Sequence, residues 1–174
     1  MPPARDGTVP AQTTTTMPDN STQPITIDSL IGMTQAQLDD LFKRSEPGPI
    51  PEGDSQGAAI VHPGTVWARL CRWLAYRFAW QDKVFTKYKC PKCDEFILAT
   101  LENKITAVGV HAIAARVYYT ESWIDGKRCI VLDYSQTSLF ARKIRDEIRL
   151  VAPGLYLGKV WWGKTRLIDF ALKF

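Results

Sequence analysis

The C-terminal stretch Leu155-Tyr-Leu-Gly-Lys-Val-Trp-Trp-Gly163-Lys164-Thr165-Arg-Leu-Ile-Asp-Phe-Ala-Leu-Lys-Phe174 decides the fold. Two runs rich in aromatic and branched apolar residues flank Gly163-Lys164, a dipeptide suited to a tight turn. In the second run alternate residues form a mainly apolar set, which is the two-residue period of a strand: Arg166, Ile168, Phe170, Leu172 and Phe174. The stretch predicts a β-hairpin, and we expect the chain to end inside its sheet.

Two further turn signals lie upstream of this hairpin. Asp125-Gly126 tolerates the positive φ of a type I′ turn, and it separates residues 116–120 from residues 128–134. Asn103-Lys104 is a weaker signal without glycine, between an apolar run and a long stretch rich in Val, Ile and Tyr. From about residue 81 the chain therefore predicts strands joined by short turns, as in an antiparallel sheet or small barrel.

Helical spacing predicts two helices before this sheet. Thr34 is a suitable N-cap for a short amphipathic helix that carries Leu38, Leu41 and Phe42. A second helix is predicted over residues 65–79, with arginines interleaved among tryptophans and tyrosines. This second helix suits packing on a core, and the alternative is a helix on an anionic membrane surface or a partner.

A third helix is predicted between the last two hairpins. Ser138 is the expected N-cap, and the helix runs to Val151 with Ile144 and Ile148 facing inward. Its charged residues are expected to face mostly outward: Arg142, Lys143, Arg145, Asp146, Glu147 and Arg149. The predicted fold class is therefore α+β, with two N-terminal helices, an antiparallel sheet or barrel, and one helix before the last hairpin.

The N-terminal part predicts a tail followed by one domain. Residues 1–24 contain four consecutive threonines, five prolines and no aromatic residue, so a disordered tail is expected. Residues 25–174 are expected to form a single domain, since 45% of the chain is hydrophobic. Within that domain, prolines and glycines over residues 46–57 predict a loop that could act as a lid.

Composition narrows the class of protein. Lys and Arg total 22 against 18 Asp and Glu, and a net charge of +4 is too small to imply a nucleic-acid partner. The chain has neither the apolar run of a secretory signal near its start nor an apolar segment of membrane-spanning length. We therefore expect a cytoplasmic protein with reduced cysteines.

Residues 158–165 match the phosphate-loop pattern letter for letter. The match is rejected, because Val160-Trp161-Trp162 is bulky and strand-forming where a phosphate loop needs small, flexible residues. A strand and hairpin turn is expected there instead.

Cys90-Pro-Lys-Cys93 is the sharpest chemical feature of the sequence. Two cysteines at this spacing suit half of a zinc site, a redox pair or a simple turn. The remaining zinc ligands would have to come from a second subunit or from separate residues: Cys71, Cys129, His62 and His111. No catalytic triad can be assembled from the motifs present.

Charged residues inside apolar strands are the other candidates for a site. Arg116, Asp133 and Asp169 could point into a barrel and orient a ligand, or they could lie on the outer, solvated face. Tyr118, Tyr134 and Trp161 lie in the same strands and could supply an aromatic lining, although they suit a core equally well.

From Trp80 to Phe174, the succession of strands, tight hairpins and one late helix resembles a lipocalin-like β-barrel. The resemblance rests on pattern, and the Gly-x-Trp motif is missing because Gly64 and Trp67 are three residues apart. It implies a protein that holds an apolar ligand or catalyses an isomerisation or cyclisation.

Three hypotheses of function follow from these observations. The first is a binding protein for an apolar or aromatic small molecule between the sheet and the helix at residues 65–79. The second is an isomerase or cyclase of the same architecture, in which Arg116, Asp133 or Asp169 supplies an acid, a base or a charge. The third is an interaction module that zinc stabilises at Cys90 and Cys93, with the helix at residues 65–79 lying on a membrane surface.

Overall fold

The structure is a closed antiparallel β-barrel preceded by two short helices. It is a computed structural model that describes residues 24–61, 83–89, 97–103, 114–136 and 142–174. The elements in chain order are α1 (Ile27–Ile31), α2 (Gln35–Arg44), β1 (Gly53–Ile60), β2 (Lys83–Lys89), β3 (Ile97–Asn103), β4 (Ala114–Glu121), β5 (Arg128–Asp133), β6 (Ile144–Ala152), β7 (Leu155–Trp162) and β8 (Thr165–Lys173). Each strand pairs with the next one along the chain, and β8 pairs with β1 to close the barrel.

This architecture corrects the predicted α+β class, because the described residues are mainly β. The helix predicted over residues 138–151 is wrong from Ile144 onward, where β6 pairs with both β5 and β7. Ile144 and Ile148 are four residues apart, and this spacing fits one face of a strand as well as one face of a helix. Strand pairing on both sides decides the outcome.

The loop predicted over residues 46–57 is also wrong in part, because β1 begins at Gly53. Its sequence, Gly-Asp-Ser-Gln-Gly-Ala-Ala-Ile, has little intrinsic preference for a strand. Gln56–Ile60 pair with Asp169–Lys173 of β8, and Gly53–Ser55 pair with β2. Pairing with a distant strand therefore overrides the local preference of this segment.

Two of the three predicted hairpins are confirmed. Trp162 pairs with Thr165 across the β7–β8 turn, where Gly163 has a φ of 58°, so residues 158–165 form a strand and turn. β4 and β5 pair across Asp125-Gly126, although the connection covers residues 122–127 and only the glycine has positive φ. β3 and β4 are antiparallel, but Glu102 pairs with Ala114, which rules out a two-residue turn at Asn103-Lys104.

The helices pack on the outside of the barrel. Thr34 caps α2 as predicted, and its side chain and that of Gln37 form a reciprocal capping box. The buried side chains of the two helices contact the outer face of β1, β7 and β8 in one apolar cluster: Leu30, Leu38, Leu41, Phe42, Ile60, Leu155, Leu157 and Ala171. None of the helices in the described part of the chain is long and apolar enough to cross a membrane.

Several predictions concern residues outside the described ranges. They are the tail over residues 1–23, the helix over residues 65–79, and the Cys90-Pro-Lys-Cys93 motif. Cys71, His62 and His111 also lie outside these ranges. All of these remain predictions.

Candidate functional site

Most of the described residues that face the barrel interior are apolar. Buried residues from six strands and from the segment before β1 form one cluster there: Ile50, Phe85, Ala115, Val117, Ile130, Leu132, Tyr134, Ile144, Ile148, Tyr156, Phe170 and Leu172. Gly158 belongs to the same lining, because a Cβ at this position would collide with the ring of Phe170. The interior is therefore closely packed around Phe170.

One end of the barrel is closed by the chain that precedes β1. The Tyr119 hydroxyl donates a hydrogen bond to the Gly48 carbonyl at 2.9 Å, and the Tyr156 hydroxyl donates to the Pro49 carbonyl at 2.7 Å. Ile50, 1% exposed, enters the interior cluster beside them. Burial, with the nearby Tyr119, raises the pKa of Tyr156 to about 12. Tyr156 thus remains protonated, and the two hydroxyls hold residues 46–52, the part of the predicted loop that does not form a strand.

A carboxylate lies within this apolar interior, on β6. Strand alternation places Asp146 on the same side of β6 as Ile144 and Ile148, which belong to the interior cluster. Asp146 is 4% exposed, and the hydroxyl of Tyr134 donates a hydrogen bond to its Oδ2 at 3.2 Å. A carboxylate in apolar surroundings loses much of its solvation, so such a group is costly unless it is hydrogen-bonded.

The electrostatics of this pair make Tyr134 a donor. Burial raises the pKa of Tyr134 well above its ordinary value of 10.0, and the charge of Asp146 raises it further. The phenol therefore keeps its proton across the physiological range. Asp146 and Tyr134 together place a carboxylate and a hydroxyl in the barrel interior, and they are the candidate functional site.

Sequence reasoning named Tyr134 but missed Asp146. The predicted helix over residues 138–151 assigned Asp146 to an outward face, so its position in the interior was not anticipated. The signal that identifies it is the two-residue period of Ile144, Asp146, Ile148 and Leu150, in which the aspartate occupies an apolar position.

The other residues predicted to bind a ligand lie on the outer face of the barrel. Arg116 is exposed and pairs across β4 and β5 with the half-buried Asp133. The Tyr118 hydroxyl donates to Asp133 Oδ2 at 3.2 Å, and burial and the charge of Asp133 raise the pKa of Tyr118. These three residues form an outer group that does not meet Asp146 and Tyr134.

Asp169 lies on the outer face but is fully buried beneath α2. Lys159 Nζ, also 0% exposed, lies 3.0 Å from Asp169 Oδ2 and 2.8 Å from Asp39 Oδ1. Gln35 donates to Asp169 Oδ2 at 2.7 Å, and Arg166 donates to both oxygens of Asp39. Burial alone would raise the pKa of Asp39, but hydrogen bonds from Lys159 and Arg166 lower it overall. This network joins α2 to β7 and β8.

A second group of buried charges holds the β4–β5 connection, residues 122–127, against the outer face of β6. Glu147 accepts hydrogen bonds from the Ser122 hydroxyl at 2.6 Å and from the Trp123 backbone at 2.9 Å. Arg149, 0% exposed, makes two hydrogen bonds to Asp125 at 2.8 and 2.7 Å and also donates to the carbonyl of Phe42. Outward charges on β6 therefore organise the connection and also contact α2.

Trp161 lies beside this connection, with its ring 5.5 Å from that of Trp123 in an edge-to-face arrangement. It is 9% exposed, and its buried indole nitrogen has no hydrogen-bond acceptor among the described residues. Trp161 thus belongs to the outer face, on the opposite side of the sheet from Tyr134.

The described residues contain no group of three or more His, Cys, Asp or Glu side chains able to hold a metal ion. Cys129, one of the candidate zinc ligands, is fully buried, and burial together with the charge of Glu147 raises the pKa of its thiol to about 12. A thiol that stays protonated is a poor metal ligand. Zinc at Cys90 and Cys93 remains a prediction.

An open cleft of about 480 Å³ lies between β1 and the end of β8. It is lined by Asp54, Ser55, Gln56, Lys173 and Phe174. Its lining is mixed polar and apolar, in contrast to the barrel interior.

Comparison of the chain with protein-family models, with curated proteins and with solved structures gives no match.

Proposed function

We propose that the protein binds an apolar small molecule at the end of the barrel interior beyond Phe170, with Asp146 and Tyr134 as its polar anchor. The observation that carries this proposal is a buried carboxylate hydrogen-bonded to a phenol, set beside the apolar cluster that the described residues form in the interior. Ligand sites are typically concave and apolar, with a few convergent polar groups that fix the orientation of the ligand. Asp146 and Tyr134 have this character.

The pair also indicates the chemical class of the ligand. Asp146 can accept a hydrogen bond from a hydroxyl or amine, and the Tyr134 hydroxyl, which directs its proton to Asp146, can accept one through its oxygen. The apolar walls favour a hydrocarbon or aromatic body. We therefore expect an apolar molecule that carries one hydroxyl or amino group.

Binding can be tested with a set of apolar fluorescent probes that differ only in one hydroxyl or amino group. We expect the polar-headed probe to bind more tightly than its hydrocarbon analogue, with the preference lost in Asp146→Asn and in Tyr134→Phe. Asp133→Asn is the matched control, because it changes a carboxylate on the outer face of the adjacent strand. Equal loss in Asp133→Asn, or no binding of any probe by the folded wild type, would contradict the proposal.

An isomerase is the second candidate, and the 3.2 Å hydrogen bond between Tyr134 and Asp146 favours it. A carboxylate can take a proton from a bound carbon acid, and the phenol, once its hydroxyl turns from Asp146 to the ligand, can donate a hydrogen bond to the developing oxyanion. Exchange of ligand protons with deuterium from solvent would separate the two candidates. Exchange that disappears in Asp146→Asn, while binding persists, identifies catalysis; binding without exchange identifies a carrier.

A further inference from the structure

An exposed group of tryptophans and cations surrounds the β7–β8 turn. This rim patch consists of Trp123, Arg142, Lys143, Arg145, Trp162 and Lys164. Trp123 is 40% exposed and Trp162 is 39% exposed, and they are two of the three large hydrophobic residues exposed in the described part of the chain. Single exposed apolar side chains are common, but apolar surface rimmed by polar residues marks sites of interaction with proteins or membranes.

Three residues of the rim patch, Trp123, Arg145 and Lys164, are in direct contact. Lys164 Nζ lies 4.0 Å from the centroid of the Trp123 ring, and the Arg145 guanidinium lies 4.3 Å from it. The backbone N–H of Gly163 donates to the Lys143 carbonyl at 2.8 Å, which holds the start of β6 against the β7–β8 turn. Trp123, Arg145 and Lys164 therefore lie together on the outer face of the barrel. Trp162 pairs with Ile144 and so faces the inner side of the sheet, at the strand end next to Lys164.

The patch has an excess of positive charge. Arg145 is paired with the buried Glu147 at 3.1 Å, but Arg142, Lys143 and Lys164 make no ion pair with any described carboxylate. All three of these side chains are exposed. The rim patch combines three cations that form no ion pair with a described carboxylate and two exposed indoles. It is therefore complementary to an anionic surface with an apolar layer beneath.

We infer that the rim patch docks on an anionic phospholipid surface. Tryptophan is enriched at the membrane interface because its ring is apolar and its N–H is polar, and lysines and arginines nearby are attracted to anionic headgroups. Trp162 lies on the strand end next to the turn and Lys164 lies in the turn itself, so both can reach headgroup depth together. This site is separate from the barrel interior, and it does not depend on ligand binding there.

Nucleic acid is the other anionic partner that aromatic and basic residues can bind, and the charge of the chain favours it less. The net charge of the chain, +4, is small for a nucleic-acid-binding protein.

Sedimentation of the full chain with vesicles tests this inference. We expect binding to phosphatidylcholine vesicles that contain phosphatidylserine, weak binding to phosphatidylcholine alone, and release at high salt as the screening length shrinks. Lys143→Gln is expected to weaken binding about fivefold, the effect of one cation at an anionic surface. Trp123→Ala/Trp162→Ala is expected to weaken binding further, with loss of fluorescence quenching by brominated lipids.

The control variants change equally exposed residues on the helices. Lys43→Gln removes an exposed cation of α2, and Ile31→Ala removes an apolar side chain of α1 that is 51% exposed. Both should bind vesicles as the wild type does, and unchanged thermal unfolding would show that every variant is folded. The inference is overturned if the wild type does not bind anionic vesicles, or if the patch variants bind them as tightly as the controls do. Preferential binding of single-stranded oligonucleotides over vesicles would also overturn it.

Discussion

Lys159 shows how a buried charge can hold a helix on a barrel at the scale of one residue. Its ammonium group is completely buried between Asp39 and Asp169. Charges in such places cost solvation energy, and they are retained only while their partners remain. The side chain therefore couples the position of α2 to the positions of β7 and β8.

Replacing Lys159 should lower the free energy of unfolding more than replacing Asp39. Lys159→Met leaves Asp169 buried with only Gln35 as a described partner, so we expect a loss of about 3–5 kcal/mol in the free energy of unfolding. Asp39→Asn should cost less, because the Asp39 side chain is 24% exposed and Lys159 keeps Asp169. Urea denaturation of both variants measures the difference, and equal losses would show that Lys159 and Asp169 do not act as a buried pair.

Gly48 and Gly126 form a natural matched pair. Both have positive φ, 68° and 70°, so a side chain strains the backbone at either position. A Cβ at Gly48 would also meet Leu150 at 2.7 Å, whereas Gly126 has open space around it. We expect Gly126→Ala to cost about 1 kcal/mol and Gly48→Ala to cost about 1–3 kcal/mol more, from overpacking. Thermal unfolding of the two variants checks the ranking, and similar losses would contradict a fixed contact between residues 46–52 and β6.

At the scale of elements, the outward charges of β6 decide how the β4–β5 connection folds. The Arg149 hydrogen bonds lower the pKa of Asp125, with burial acting against them. A lowered pKa in the folded protein means that the ionised carboxylate stabilises the fold. This stability is present above the unfolded pKa of about 3.8, and it is lost as the pH falls through the folded value.

Asp125→Asn should therefore reduce the unfolding temperature at pH 7, and the difference from the wild type should shrink as the pH falls below about 3.8. Scanning calorimetry across this range measures both effects. Asp40→Asn is the control, because it changes an exposed carboxylate of α2. A difference that stays constant down to the lowest pH would show that the charge of Asp125 does not hold the connection.

The elements also show where sequence reasoning succeeds. The β7–β8 hairpin, the β4–β5 pairing and the cap of α2 were predictable, because each depends on neighbouring residues such as Gly163 or Thr34. β1 was not, because its partner β8 lies more than a hundred residues away, and β6 was not, because the spacing of its apolar and charged residues also fits a helix. β6 has charges at Arg145, Glu147 and Arg149 that resemble the solvated face of a helix, yet these side chains contact the β4–β5 connection and α2.

The candidate site was only half predictable for the same reason. Tyr134 was named from its strand, but the interior position of Asp146 follows only from the pairing of β6 with β5 and β7. Arg116, Asp133 and Asp169 all proved to face outward, since alternation along a strand fixes the face only after the register is known.

At the scale of the whole molecule, closure of the barrel joins the two ends of the described chain. Gln56–Ile60 pair with Asp169–Lys173 across more than a hundred residues of sequence. Contacts of such long range form late and slowly in folding, because a large loop must close first. Closure also removes the free sheet edges through which strands of different molecules can pair.

The two junctions of β1 differ in extent, and this difference predicts how the barrel opens. Gly53–Ser55 alone pair with Lys83–Phe85 of β2, whereas the rest of β1 pairs with β8. Amides bonded across the shorter β1–β2 seam should exchange with deuterium through local opening, at a lower free energy than amides of β7 and β8. Those of Gln56–Ile60 that are bonded to β8 should exchange only with global unfolding. Native-state hydrogen exchange at increasing denaturant separates these classes. Fast exchange throughout Gln56–Ile60 would contradict a closed barrel, whatever the behaviour of the β1–β2 seam.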